Sequence, residues 1–96
     1  MLRIDKDLNK EAANTRKHGL DFTFADLMFR DPLAVEVYDR FEAGEHRWHT
    51  LSRLGGKLLL VVYSYPDPDD LDWVRVISLR EATRDERRRY EQGPYE

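Results

Sequence analysis

Cysteine is absent from this 96-residue chain. Disulfides, thiolate-held metals and a cysteine nucleophile are thereby excluded, and a reducing compartment suits the composition. Long apolar runs are also missing. The longest, Leu58–Tyr63, has the length of a strand, far short of the roughly 18–20 residues that span a bilayer. The opening "MLRIDKDLNK" lacks the apolar core of a signal peptide, so a cytoplasmic protein with no membrane partner is expected. No glycine-rich phosphate loop and no G-x-S-x-G elbow occurs, which argues against nucleotide-cofactor and serine-hydrolase classes. No cofactor is expected. Net charge is −3, so the overall field does not announce a nucleic-acid binder. Metal-ligand spacing is poor as well. His46 and His49 are three apart, and on a strand they point to opposite faces. "PDPDDLD" (Pro66–Asp72) lacks the glycine and terminal glutamate of a calcium loop, so no metal site is expected and the loop reads as solvated.

What is present describes one small domain, residues 1–96. A chain of this size buries a little over half of its unfolded surface. It is 41% hydrophobic and 36% charged, which leaves chemistry to side chains on a single scaffold. Asp5 or Asn9 can cap a first helix running to about His18, with Gly19 at the left-handed terminus and Leu20 folding back. Arg16, Lys17 and His18 then suit the negative end of its dipole. A second helix is expected from Thr23 as N-cap, with a Phe22–Leu27 staple, ending at Asp31–Pro32. Alternation at Leu33, Val35 and Val37 predicts a half-buried strand. His46–Leu54 and Lys57–Tyr65 follow as strands joined by Gly55–Gly56, a tight turn. The apolar "LLLVVY" places the latter at the sheet centre. After the acidic loop, Trp73–Arg80 is a fourth strand. Thr83 and Glu86 form a capping box opening a last helix that ends at Gly93–Pro94. The order predicts an α+β fold: two N-terminal helices, a four-stranded mainly antiparallel sheet and a C-terminal helix.

Charge is unevenly spread. The Pro66–Asp72 loop holds four aspartates and no cation, whereas Arg80–Tyr90 holds five arginines against three acids. Arg75 interrupts the apolar "WVRVI", and a charge within a sheet needs water, a partner or a ligand. Arg80 ends that strand, Arg84 and Arg88 lie one helical turn apart beyond it, and Arg47 adds a cation from a neighbouring strand. Arginine's planar fork suits phosphate, and ion pairing with nearby acids accounts for the same residues. Glu45, beside Arg47, reads as an acid–base group or as half of an ion pair. In "NTRKHGLDF" (Asn14–Phe22), Lys17 and His18 stop a helix or hold a phosphate, while Asn14 and Phe22 serve the architecture.

An ordered set of short motifs spans nearly the whole chain. "N-x-x-KHG-x-x-F-x-x-A" runs from Asn14 to Ala25, "F-x-DP" from Phe29 to Pro32, and "E-x-R" covers Glu45 and Arg47. "VRVIS-x-R-x-AT-x-x-ER-x-x-Y" then runs from Val74 to Tyr90. The set resembles the BrnT toxins. Two positions depart from the family pattern: Ile4 stands where tryptophan is common, and Leu79 where alanine is common. The acidic loop also looks longer than the family's usual turn.

The resemblance implies a RelE-like fold and a type II toxin that blocks translation as a metal-independent endoribonuclease. It implies RNA as substrate and a BrnA-like ribbon-helix-helix antitoxin as partner, with operator DNA bound only through that antitoxin. A homodimer is compatible with it. Matching the family motifs, Lys17, His18, Glu45, Arg47, Arg75 and Arg80 are the catalytic candidates. Arg75 and Arg80 would stabilise the phosphate, and Glu45 or His18 would transfer the proton. Arg84 and Arg88 are candidates for RNA binding. The alternative is a non-catalytic binding protein acting as corepressor within an antitoxin–DNA complex.

Overall fold

The computed structural model describes residues 2–93. The elements run β1 (Arg3–Lys6), α1 (Leu8–His18), α2 (Phe24–Arg30), β2 (Val35–Glu42), β3 (Glu45–Leu54), β4 (Lys57–Ser64), β5 (Trp73–Glu81) and α3 (Arg84–Gln92). They form an α+β fold around one five-stranded sheet in the order β1-β5-β4-β3-β2. The expected four strands are therefore corrected to five. β1 pairs in parallel with β5, from Arg3 opposite Trp73 to Lys6 opposite Val76. The other pairings are antiparallel. β4 is central and buried along almost its whole length, as its apolar run predicts.

Capping explains where the helices begin and end. Asp7, not Asp5 or Asn9, caps α1, accepting from the amides of Asn9 and Lys10 at 2.8 and 3.2 Å. Asp5 is committed to β1 instead. Gly19 terminates the helix at φ 72°, its N–H donating to the Thr15 carbonyl at 2.8 Å, the geometry that favours glycine. At α2, Thr23 makes no side-chain cap. The Asp21 carboxylate accepts from the Thr23 amide and hydroxyl instead. The Phe22–Leu27 staple is also absent: Phe22 enters the core at 2% exposure, while Leu27 stays 53% exposed. α3 carries the full Thr83–Glu86 capping box and ends at Gly93. Pro94 lies outside the described residues.

The sheet has a core on each face. On one, Phe22, Ala25 and Met28 of the α2 region pack on Leu59, Val61, Tyr63, Val74, Val76 and Leu79. Side chains of this size stabilise by about 1.5–3 kcal/mol each when fully buried. On the other, Leu51, Leu58, Leu60 and Val62 pack against Ile77, Ala82 and Tyr90. Tyr90 belongs to α3, which therefore covers the half of this second face nearest the Gly55–Gly56 turn. The far half is left open.

Asn14 fastens α1 to the sheet, beside the Lys6–Glu11 ion pair between β1 and α1. The buried Asn14 amide donates to the carbonyls of Leu20 and Leu79 at 2.8 and 2.7 Å, and its oxygen accepts the Leu79 N–H at 3.1 Å. It thus copies a peptide group and prolongs the β1–β5 ladder after β1 has ended. No helix among the described residues is long and apolar enough to cross a membrane.

Candidate functional site: an arginine and histidine face on the sheet

Residues directly opposite one another in paired strands share a face, as do alternate residues along a strand. On the half of the sheet that α3 leaves open, register aligns Asp5, Arg75, Ser64, Arg47 and Arg40 across all five strands. The next row holds Val37, His49, Val62 and Ser78. In the row after that, Arg80 pairs with Leu60 and Leu51. Three of the arginines expected to act on RNA, Arg47, Arg75 and Arg80, therefore lie on one surface.

Arg47 is well held. Its side chain is 14% exposed and its Nη1 donates to the Glu42 carboxylate. Its partner is thus Glu42 and not Glu45. Nε of Arg47 and Oγ of the facing Ser64 are buried without a hydrogen-bond partner among the described residues. Buried donors of this kind ordinarily find acceptors, ordered water among them. Arg75 is looser. It meets Asp5 at 3.7 Å with both side chains about half exposed, a pair of little energetic weight.

Arg80 is bound in a fork. Its Nη1 and Nη2 donate to the two Glu86 oxygens at 2.7 and 3.0 Å. The guanidinium, with the Thr83 amide behind it, holds the Glu86 carboxyl down to about 2 against the opposing effect of burial. Glu86 therefore both caps α3 and fixes Arg80.

His49 sits between these anchors, 12% exposed, with Nδ1 3.8 Å from the Asp39 carboxylate. Burial lowers its pKa below the ordinary 6.5, and the charges of Arg80 and Arg89 push the same way. Asp39 and Glu86 oppose them without prevailing. The result is an imidazole that stays neutral near pH 7 beside the guanidinium groups of Arg80 and Arg89. A neutral imidazole is the protonation state that a general base requires, and arginines are the groups suited to developing negative charge.

The remaining candidates lie elsewhere. Lys17 and His18 are exposed in the last turn of α1, and no described hydrogen bond or ion pair joins them to Arg47 or Arg75. Glu45 lines a groove with Trp48, Tyr65 and Trp73. Arg84 and Arg88 are exposed, and helical periodicity turns them away from Glu86 and Tyr90. Sequence reasoning missed His49 and Arg89. Position 49 follows Arg47 by two, and in a strand that spacing puts both on one face. As expected for a strand, His46 points to the opposite face, where it contacts Tyr38 and Phe41. Among the described residues, no group of three or more histidines and carboxylates is arranged to hold a metal ion.

No curated protein matches the chain. The family model described as the ribonuclease toxin, BrnT, of a type II toxin–antitoxin system matches residues 7–86, most of the chain and every strand of the arginine face but β1, so the chain belongs to the BrnT family.

Proposed function

We propose that this protein is a metal-independent endoribonuclease that cuts RNA on the open sheet face and thereby inhibits translation. RNA supplies its own nucleophile, the 2′-OH, so a site with no serine or cysteine nucleophile suffices. His49, oriented by Asp39, takes the hydroxyl proton. Arg47, Arg75 and Arg80 stabilise the charge on the pentacoordinate phosphorus, and solvent protonates the departing 5′-oxygen. The products are a 2′,3′-cyclic phosphate and a 5′-hydroxyl end. A BrnA-like ribbon-helix-helix antitoxin would neutralise the enzyme and carry it to operator DNA. The observation that carries this reading is the neutral, nearly buried His49 framed by Arg47 and Arg80.

Lys17 and His18 lie outside the site on this reading, and Glu45 is replaced by His49 as the proton-transfer group. The test is cleavage of RNA by the purified protein in EDTA. His49→Ala is expected to lose about 10²–10⁴-fold, the usual worth of one acid–base group. Full activity in that variant, or loss of wild-type activity in EDTA, would overturn the mechanism.

A non-catalytic corepressor is the second reading. It draws on the net charge of −3 and on the carboxylates already engaging Arg47, Arg75 and Arg80. It requires that expression alone leaves growth untouched and that no RNA is cut.

A further inference from the structure

A groove beside the arginine face has the opposite chemistry. Its volume is about 790 Å³, and it is lined by Trp48, Tyr65, Trp73, Glu36, Glu45 and Leu71. The acidic loop folds over to make one wall through Pro66, Pro68 and Leu71, and the loop is itself built. Asp67 accepts from the Asp69 amide and Asp70 from the Asp72 amide, at 2.9 and 3.1 Å. The walls are aromatic: Trp48 and Tyr65 meet at 6.3 Å between ring centroids. Glu36 is fixed by the hydroxyls of Tyr63 and Tyr65, which donate to the same oxygen. Glu45 has no hydrogen bond or ion pair among the described residues.

Aromatic rings combined with carboxylates recognise cations. The protein already shows the mode at the rim. The Arg3 guanidinium lies 5.5 Å over the Trp73 ring while donating to Asp70 at 2.6 Å. An RNA segment is poorly matched here, because its phosphates would approach Glu36, Glu45 and the four aspartates of Pro66–Asp72. Arg75 also lines the groove, where Glu36, Glu45 and the loop aspartates outnumber it. Exposed Leu71 and Tyr38, at 61% and 45%, add apolar surface beside the charge.

We infer that this groove docks a basic segment of a partner protein, seating an arginine or lysine side chain between Trp48, Tyr65 and Trp73 against Glu36 and Glu45. The partner then grips the molecule beside the arginine face, which the groove meets at Arg75. Equating that partner with the antitoxin rests on the proposed function; the groove chemistry does not.

Both tryptophans of the chain line the groove, so their emission reports occupancy directly. The full chain is titrated with a ten-residue peptide alternating arginine and leucine, with its arginine-to-glutamine counterpart, and with a four-nucleotide single-stranded RNA. The arginine peptide is expected to give a saturable change, weakened at least tenfold by Glu45→Lys and by Leu71→Lys. Asp26→Lys on α2, with the same charge change as Glu45→Lys, should leave it intact. Equal response to the glutamine peptide, a response to RNA alone, equal weakening by Asp26→Lys or no saturable change would each overturn the inference. RNA cleavage by Leu71→Lys should match wild type. A wild-type protein that cuts no RNA would defeat the ribonuclease reading while leaving the peptide result standing.

Discussion

His49 gives the site a defined pH behaviour. Burial lowers its pKa below 6.5, so the folded protein holds it neutral where an unfolded chain would protonate it. Between the folded value and 6.5 the unfolded state binds more protons, and stability therefore rises with pH through that window. The acid limb of kcat/KM should accordingly fall below pH 6.5 and disappear from whatever activity remains in His49→Ala. Arg80 calls for a gentler substitution than alanine. Truncation would strand the half-buried Glu86 carboxylate, so loss of activity and loss of stability would be confounded. Arg80→Lys keeps the charge and loses the two-pronged geometry. It is expected to cut RNA at least tenfold more slowly while unfolding within about 1–2 kcal/mol of wild type in urea. The arginines were legible in the sequence because a charge inside an apolar strand needs a reason. His49 was not, because its environment comes from Asp39 of β2 and from Glu86 and Arg89 of α3, two other segments of the chain.

At the level of elements, local chemistry carried most of the reading. The capping box, the left-handed Gly19 and the central apolar strand all rest on contacts within a few residues. β1 escaped because four residues with one inward-facing Ile4 give no period to read, and its pairing partner lies on the last strand. The Ala43–Gly44 turn between β2 and β3 escaped for a different reason. Ala43 takes φ 52°, a conformation that a side chain other than asparagine, aspartate or glycine resists. Ala43→Asn should relieve this and raise stability by about 0.5–1 kcal/mol, measured as a shift of the urea midpoint at constant slope. Asn14 shows the reverse case, a polar residue that its helix needs. Asn14→Ala removes the side-chain partners of the Leu79 amide and carbonyl and leaves the Leu20 carbonyl only the longer Thr15 hydroxyl bond, and about 2–4 kcal/mol of stability should be lost.

The whole molecule separates its charges. One sheet face gathers Arg47, Arg75 and Arg80, and the acidic loop builds a groove that meets this face at Arg75, so a net charge of −3 conceals two surfaces suited to opposite ligands. Composition alone could not reveal this, because the sum discards the arrangement.

The pairing of Arg3 with Trp73 and of Asn14 with Leu79 has a kinetic meaning. These contacts join the first fifth of the sequence to its last strand, with the Asn14–Leu79 bonds spanning 65 residues. Closing such separations is slow and late compared with zipping the adjacent β3–β4 hairpin. During synthesis, Arg75 and Arg80 leave the ribosome long after Arg47, and the sheet edge cannot close before them. A nascent chain is thus without its assembled arginine face until translation of that chain is nearly finished. In refolding experiments, Asn14→Ala should accordingly speed unfolding and leave the folding rate nearly unchanged.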